Sequence, residues 1–285
     1  MPRIYDRPEV CRTYFFPQPG GALPALPGAG PVALALPDGT PIQGYWSRPL
    51  GGERTPSSQG GVFSGGENAP TLLYLHGNGE TISDQLPVWP DWAREAGADI
   101  FFIDYPGYGE SGGVPTFTAC RQAAQAALFH LEALGVEIIV AGRSVGSIFA
   151  LDVAAHNHAR VRALMLESGV ADLSQRLAIR WEAICAGSGA DIDRGQLEAQ
   201  LALDFDHRRK LERLDPGCPV LVLHTRMDSL IPSWHAERLA AWAGDRLLRL
   251  ELFEEGDHNT IQWLNADHYR QLLRELVSAA RARVG

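Results

Sequence analysis

Cysteine and lysine are both scarce in this chain of 285 residues. The four cysteines, Cys11, Cys120, Cys185 and Cys218, are far apart and form no C-x-x-C pair. That spacing suggests neither a zinc site nor a disulfide framework, and makes a reducing, cytoplasmic compartment the expectation. Lys210 is the only lysine, and 25 basic side chains stand against 34 acidic ones, for a net charge of −9. Such a chain repels a phosphate backbone, and its arginines are dispersed, so no nucleic-acid partner is expected. Residues 17 to 37 are uncharged, but Pro17, Pro19, Pro24, Pro27, Pro31 and Pro37 would break any helix there and leave backbone groups that lipid cannot satisfy. Asp6 and Glu9 precede that stretch where a signal peptide carries basic residues, so neither a cleaved leader nor a stable membrane anchor is expected. What the chain has is apolar content, 45% against 21% charged residues, enough to bury a core and to exclude disordered and fibrous classes.

The first 70 residues read as a lead-in segment. Val32 to Leu36 and Ile42 to Trp46 flank Asp38-Gly39 as a hairpin, and the Gly- and Ser-rich stretch Gly51 to Gly66 reads as a mobile loop, within about residues 50–69. Beyond it, short apolar runs alternate with segments of helical period. The runs are Leu72 to Leu75, Ile100 to Ile103, Ile138 to Ala141, Ala163 to Leu166, Val220 to Leu223 and Leu248 to Phe253. Helical patterns cover Ser83 to Ala96, Phe117 to Leu134, Ser147 to His156, Ser233 to Trp242 and Thr260 to Ala282. Continuous apolar runs suit strands covered on both faces, so the expected fold is α/β, a mostly parallel central sheet with helices on both sides. Between Leu166 and Val220 the rhythm breaks. Helical patterns at Leu173 to Ala186 and Gln196 to Leu203, joined by Gly187-Ser188-Gly189, predict a helical cap at about residues 169–216, inserted into one domain with its core at about 30–168 and 217–285.

Parallel sheets present reactive groups at the carboxyl ends of their strands. After Ile138 to Ala141 comes Gly142-Arg143-Ser144-Val145-Gly146, leading straight into a helical pattern, which would put Ser144 on a tight strand-to-helix turn. A G-x-S-x-G pattern arises by chance roughly 0.15 times at this chain's composition, so context has to select it. Gly109-Glu110-Ser111-Gly112-Gly113 also matches, but it lies among turn residues with no helix starting at its serine. A serine nucleophile needs a base, and the base needs an acid. Asp228 follows the run at Val220 and His258 follows the run at Leu248, giving the chain order Ser144, Asp228, His258. For the developing oxyanion, the amides of Val145 and of Asn78, in His76-Gly77-Asn78-Gly79, are the candidate donors.

Rival assignments exist for each role. Glu167 and Asp172 follow an earlier strand and Asp257 adjoins the histidine, but a direct neighbour in sequence rarely reaches its partner's ring nitrogen. His224 reads as a strand-end packing residue. His130, His156, His158, His207, His235 and His268 lie on helical patterns, where a solvated face is the ordinary explanation.

Taken together, Leu72 to Gly79, Asp104-Tyr105-Pro106-Gly107-Tyr108-Gly109-Glu110-Ser111, the Ser144 turn, Asp228 to Pro232 and Gly256 to Asn259 resemble the α/β-hydrolase superfamily over about residues 71–282. The branch they are most similar to is the BEM46-like or serine-aminopeptidase-like one, which includes palmitoyl-protein thioesterase relatives. Some depalmitoylating relatives carry a cysteine-rich lipidated N-terminus, whereas Cys11 stands alone here. The resemblance implies an α/β-hydrolase fold and a Ser-His-Asp hydrolase without a defined substrate.

The expected function is a serine hydrolase that cleaves a carboxylic ester or thioester through an acyl-enzyme, on a small-molecule or acyl substrate, with no cofactor and no metal. Two alternatives stay open. A peptide-bond hydrolase of aminopeptidase type would need an acid for the substrate's amine, for which Glu80, Glu167 and Asp257 are candidates. A ligand-binding or sensor protein could use the same fold. Leu173, Leu177, Ile179, Trp181 and Ile184 either line an acyl pocket or form the cap's own core, the commoner role at helical spacing.

Overall fold

The structure is a computed structural model and describes residues 3–48, 69–156, 160–186 and 192–283. The Gly- and Ser-rich stretch 51–66 and the link 187–189 lie outside the described residues, as does His158. Eight strands form one sheet: β1 (Ala29–Ala35), β2 (Pro41–Ser47), β3 (Thr71–Leu75), β4 (Asp99–Ile103), β5 (Ile138–Arg143), β6 (Val161–Glu167), β7 (Val220–Thr225) and β8 (Leu247–Phe253). Their order is β1-β2-β4-β3-β5-β6-β7-β8. The β1–β2 and β2–β4 pairs are antiparallel, and every other pair is parallel.

The helices are α1 (Pro8–Tyr14), α2 (Ile82–Gln85), α3 (Trp89–Ala96), α4 (Phe117–Ala133), α5 (Gly146–His156), α6 (Leu173–Ala178), α7 (Trp181–Ala186), α8 (Arg194–Asp204), α9 (His207–Glu212), α10 (Trp234–Ala243), α11 (Ile261–Leu264) and α12 (Ala266–Ala282). Strand side chains alternate between the two faces of the sheet. Leu73, Leu75, Val140, Leu164, Leu166, Val220 and Val222 therefore enter one core with α4, α5 and α10. Leu72, Tyr74, Ile139, Ala141, Met165, Leu221 and Leu223 enter the other with α3 and α12. Both faces are dry, as the continuous apolar runs require.

Local sequence sets the helix limits. Thr116 caps α4 by accepting the Ala119 amide, and Ala123, Ala127 and Leu131 then bury one stripe of it until Gly135 turns at φ 70°. Three helical patterns are broken where each was expected to run through. Pro87 separates α2 from α3. The Asn265 amide donates to Ile261 and Glu255 carbonyls at 2.9 and 3.0 Å and ends α11 before α12 begins. Residues 179 and 180 part α6 from α7, and the Arg180 guanidinium there donates to the Thr13 carbonyl at 3.1 Å.

The lead-in segment is more than a lead-in. Tyr5, Tyr14 and Phe15 are buried around Phe117, with ring centroids 5.9, 4.9 and 4.9 Å from it, and Tyr5 also meets Phe205 at 5.2 Å. Leu173, Leu177, Ile184, Leu197 and Leu201 of α6 to α8 are buried in the same core, so most of the apolar positions between β6 and β7 pack with the N-terminal helix. Ile179 and Leu203 are exceptions, at 61% and 70% exposed. No helix among the described residues is long and apolar enough to cross a membrane.

Candidate active site

The strand order reverses between β3 and β5, and in open parallel sheets the crevice at such a point is where ligands bind. The turn after β5 holds Ser144 at φ 53°, a left-handed conformation that costs a serine free energy. Its amide donates to the Glu167 carbonyl of β6 at 2.9 Å, which holds the turn against the sheet. The flanking glycines are sterically required. A Cβ at Gly142 would meet the Gly146 carbonyl at 2.5 Å, and one at Gly146 would run into the Leu75 and His76 carbonyls. Helix α5 thus seats directly on the loop that follows β3.

His258, in the loop after β8, reaches this turn. Its Nε2 lies 2.9 Å from Ser144 Oγ, and its Nδ1 lies 2.7 Å from Asp228 Oδ2. All three residues are less than a tenth exposed. A carboxylate only accepts, so Nδ1 carries the proton and Nε2 is left to accept from the serine hydroxyl. Asp228 is itself tightly held. Its Oδ1 accepts the Leu230 and Ile231 amides at 2.9 and 2.7 Å. Burial alone would raise its carboxyl, but hydrogen bonds from His224 and His258 outweigh that and hold it well below the usual carboxylate range.

His224 does more than pack. Its Nε2 lies 2.8 Å from the Ile231 carbonyl and 3.3 Å from Asp228 Oδ2, so one N–H braces both the acid and the turn that carries it. His207 and His235 also depart from the expectation of a solvated face: both are buried. Apolar neighbours favour a neutral ring. Burial, then the charge of Lys210, pushes the His207 imidazole down to about 3, and burial, then Arg176, pushes His235 down to about 4.

The loop after β3 is shaped from several sides. The Asn78 side chain bonds the Tyr14 carbonyl, and its Oδ1 accepts from the Phe16 amide at 2.9 Å and from the Tyr108 hydroxyl at 2.6 Å. The N-terminal segment therefore ties this loop to the link between α6 and α7 through Thr13 and Arg180. The backbone amides of Asn78 and Val145 donate to no acceptor among the described residues. Ser111, in the second G-x-S-x-G match, is a structural hydroxyl. It donates to the Asp104 carbonyl at 2.7 Å and accepts the Gln43 amide at 2.8 Å.

The other carboxylates considered from sequence have internal partners. Asp172 caps α6 through the Gln175 amide, and Asp257 binds the Asn259 and Thr260 amides of its own turn. Glu167 is fully buried against Arg143, Gln262 and Tyr269, and Glu80 pairs with Arg143. Arg143, the unspecified position of G-x-S-x-G, was not singled out by sequence reasoning. No periodicity marks it, because its partners come from β6, the β3 loop and the β8 loop. Among the described residues no group of three or more His, Cys, Asp or Glu is arranged to hold a metal.

Comparison with known proteins agrees with this architecture. A family model described as alpha/beta hydrolase fold matches residues 70–184. Bem46 of Schizosaccharomyces pombe is 28% identical over 197 residues, covering 68% of this chain and 62% of that protein. The uncharacterized protein YfhR of Escherichia coli K12 is 26% identical over 285 residues, covering 97% and 90%. The structure of the Pyrococcus furiosus esterase Pf2001 superposes with a TM-score of 0.65 at 14% identity, covering 93% of this chain and 97% of that one. The fold is the α/β-hydrolase fold. The curated relatives this chain is similar to match the Bem46-like branch of α/β-hydrolase proteins.

Proposed function

We propose that the chain is a serine hydrolase that cleaves a carboxylic ester or thioester. The observation that carries this reading is the chain of contacts from Ser144 Oγ through His258 to Asp228, 2.9 and 2.7 Å long, on a strained turn at the switch point of the sheet. Ser144 attacks the acyl carbonyl while His258 Nε2 takes its proton. Asp228 keeps the imidazole in the required tautomer and stabilises it once charged. The Asn78 and Val145 amides receive the oxyanion, His258 protonates the leaving group, and water repeats the sequence on the acyl-enzyme. The engagement of Glu80, Glu167 and Asp257 by internal partners favours an acyl ester over a substrate whose free amine needs a carboxylate.

The test is labelling by a fluorophosphonate probe and turnover of short-chain nitrophenyl esters. Ser144→Ala is expected to abolish both, and His258→Ala to lower kcat by about 10⁴-fold or more with KM little changed. Full labelling and turnover by Ser144→Ala would overturn the reading. Faster cleavage of amino-acid arylamides than of acyl esters would redirect it to peptide bonds, and ligand-induced stabilisation with no product from any ester would redirect it to a sensor.

A further inference from the structure

Arg143 is the most enclosed Arg or Lys among the described residues, 2% exposed, and its donors reach three different segments of the proposed site. Nε donates to Glu167 Oε1 of β6 at 3.1 Å. Nη1 pairs with Glu80, which follows the β3 loop. Nη2 donates to the backbone carbonyl of His258 at 2.6 Å and to Asn259 Oδ1 at 3.4 Å. A guanidinium is planar with five N–H donors in a fixed fork, so these contacts set an angular relation between the segments that a lysine ammonium cannot reproduce.

The carboxylates pass the constraint on. Glu80 Oε2 accepts the Gly77 amide at 2.8 Å, immediately before Asn78, and also the Gln85 side chain at 3.3 Å. Glu167 accepts from Gln262 at 3.2 Å and from the Tyr269 hydroxyl at 2.5 Å, which roots the network in α11 and α12. Gly77 is part of the fit. A Cβ there would stand 2.6 Å from Arg143 Nη1 and 3.0 Å from Glu80 Oε2, so the loop approaches the guanidinium as closely as it does only because residue 77 has no side chain. Burial opposes the charge on Arg143, but Glu80 and Glu167 outweigh it and keep the group charged.

The geometry points to Arg143 as a positioning residue: through Glu80 and the His258 carbonyl it holds the oxyanion loop and the base loop in register with the serine that follows it in sequence. This rests on the serine-hydrolase reading. Arg143 touches none of the reacting groups, so its effect is on how well they are aligned, and misplacement by about 1 Å costs on the order of 10²-fold in rate. Ground-state binding of the acyl group does not pass through it.

The experiment compares Arg143→Lys and Gly77→Ala with the wild type, each normalised to folded protein by circular dichroism. Both are expected to lower kcat and the rate of fluorophosphonate labelling by about 10²-fold while KM stays within about threefold, because alignment and not binding is lost. A residue that only supported the fold would lower Tm and leave kcat and labelling per folded molecule unchanged. Folded Arg143→Lys that labels within about threefold of wild type overturns the proposal. If Arg143→Lys does not fold, Glu80→Gln decides it. That variant keeps the Arg143–Glu167 pair but weakens the hold on Gly77, and is expected to lower kcat about tenfold at unchanged KM, with unchanged kcat sinking the idea. Wild-type protein that never labels at Ser144 defeats the serine-hydrolase reading instead, so the two failures are separable.

Discussion

Two buried ionic clusters sit on opposite faces of the sheet. On the α12 face, one cation, Arg143, is held between two carboxylates, Glu80 and Glu167. On the α4 and α5 face the ratio is inverted: one carboxylate, Asp152, receives Lys210 at 2.9 Å and Arg121 at 3.0 Å. The Lys210 ammonium also stands 4.9 Å from the centroid of the Phe205 ring. Both clusters are costly to bury, and both are paired well enough to be tolerated. Their destinations differ. Arg143 spends one nitrogen on the backbone of the His258 loop and Glu80 spends an oxygen on the loop beside Asn78, whereas Lys210 and Arg121 bind helices α9 and α4 to helix α5. The same chemistry therefore braces the loops of the candidate site in one place and fastens helices in the other, according to which backbone lies at the far end of each hydrogen bond.

Breaking the helix-fastening cluster is expected to give the largest stability effect of the changes compared below. Asp152→Ala strands Lys210, 6% exposed, without its counter-ion. The expected cost is about 3–5 kcal/mol, read by urea unfolding, with kcat per folded molecule within about twofold of wild type. The double change Asp152→Ala with Lys210→Met should recover part of that loss, since an apolar replacement leaves no charge unpaired. If instead Asp152→Ala lowers turnover per folded molecule by about 10²-fold, as is expected of Arg143→Lys, the contrast between the clusters fails.

A smaller effect separates the clusters by pH. His207, two residues before Arg209 on α9, titrates near 3 in the fold against about 6.5 in an unfolded chain. The unfolded chain therefore binds the proton first, so the stability that the neutral ring contributes is complete above about pH 6.5 and is lost progressively as pH falls toward 3. His235 acts with the same sign down to about 4. Asp99, pushed up by burial to about 6, works oppositely over its own range. Replacing His207 with Gln isolates the first contribution: between pH 7 and pH 4.5 the variant's Tm should fall less than that of wild type. An equal or steeper fall would show that His207 is not held neutral. Arg143→Lys keeps a cation beside Glu80 and Glu167, so it should leave this slope unchanged.

The smallest effect sharpens the role of burial. Arg208 and Glu212 form an ion pair on α9 at 2.9 Å, but with side chains 66% and 54% exposed. Arg208→Ala is expected to change stability by about 0.5 kcal/mol or less by the same urea measurement. A loss matching that of Asp152→Ala would mean that pairing, and not enclosure, sets the energies of these clusters.

Much of this molecule was legible from the residues alone. The apolar runs from Leu72 to Leu223 mark strands because both faces of the parallel sheet are covered there, whereas Arg249 and Glu251 alternate with leucine in β8, the strand at the sheet edge. That Ser144, Asp228 and His258 come to one edge of the sheet was readable because each follows such a run, and the structure brings the three side chains into contact there. Less visible were the breaks in the helices. Asn265 ends α11 with a side chain that bonds backward to Ile261 and Glu255, and nothing in the periodicity of Thr260 to Ala282 signals it. The burial of His207 and His235 was hidden for the same reason, since helical phase tells which residues share a face but not what covers that face.

Sequence order by itself determined the sheet, the chemistry of the three residues brought to its carboxyl edge, and the need for glycine at 142 and 146. Those are local properties, set by side-chain volume, backbone freedom and polarity. Only the tertiary structure decided that Tyr5, Tyr14 and Phe15 close over Phe117, that His224 shares Asp228 with His258, and that Arg143 joins Glu80, Glu167 and the His258 carbonyl. These contacts span from 24 to 115 residues where Arg143 is concerned, and a charge carries no mark along the chain of which distant carboxylate will lie opposite it once the strands are paired.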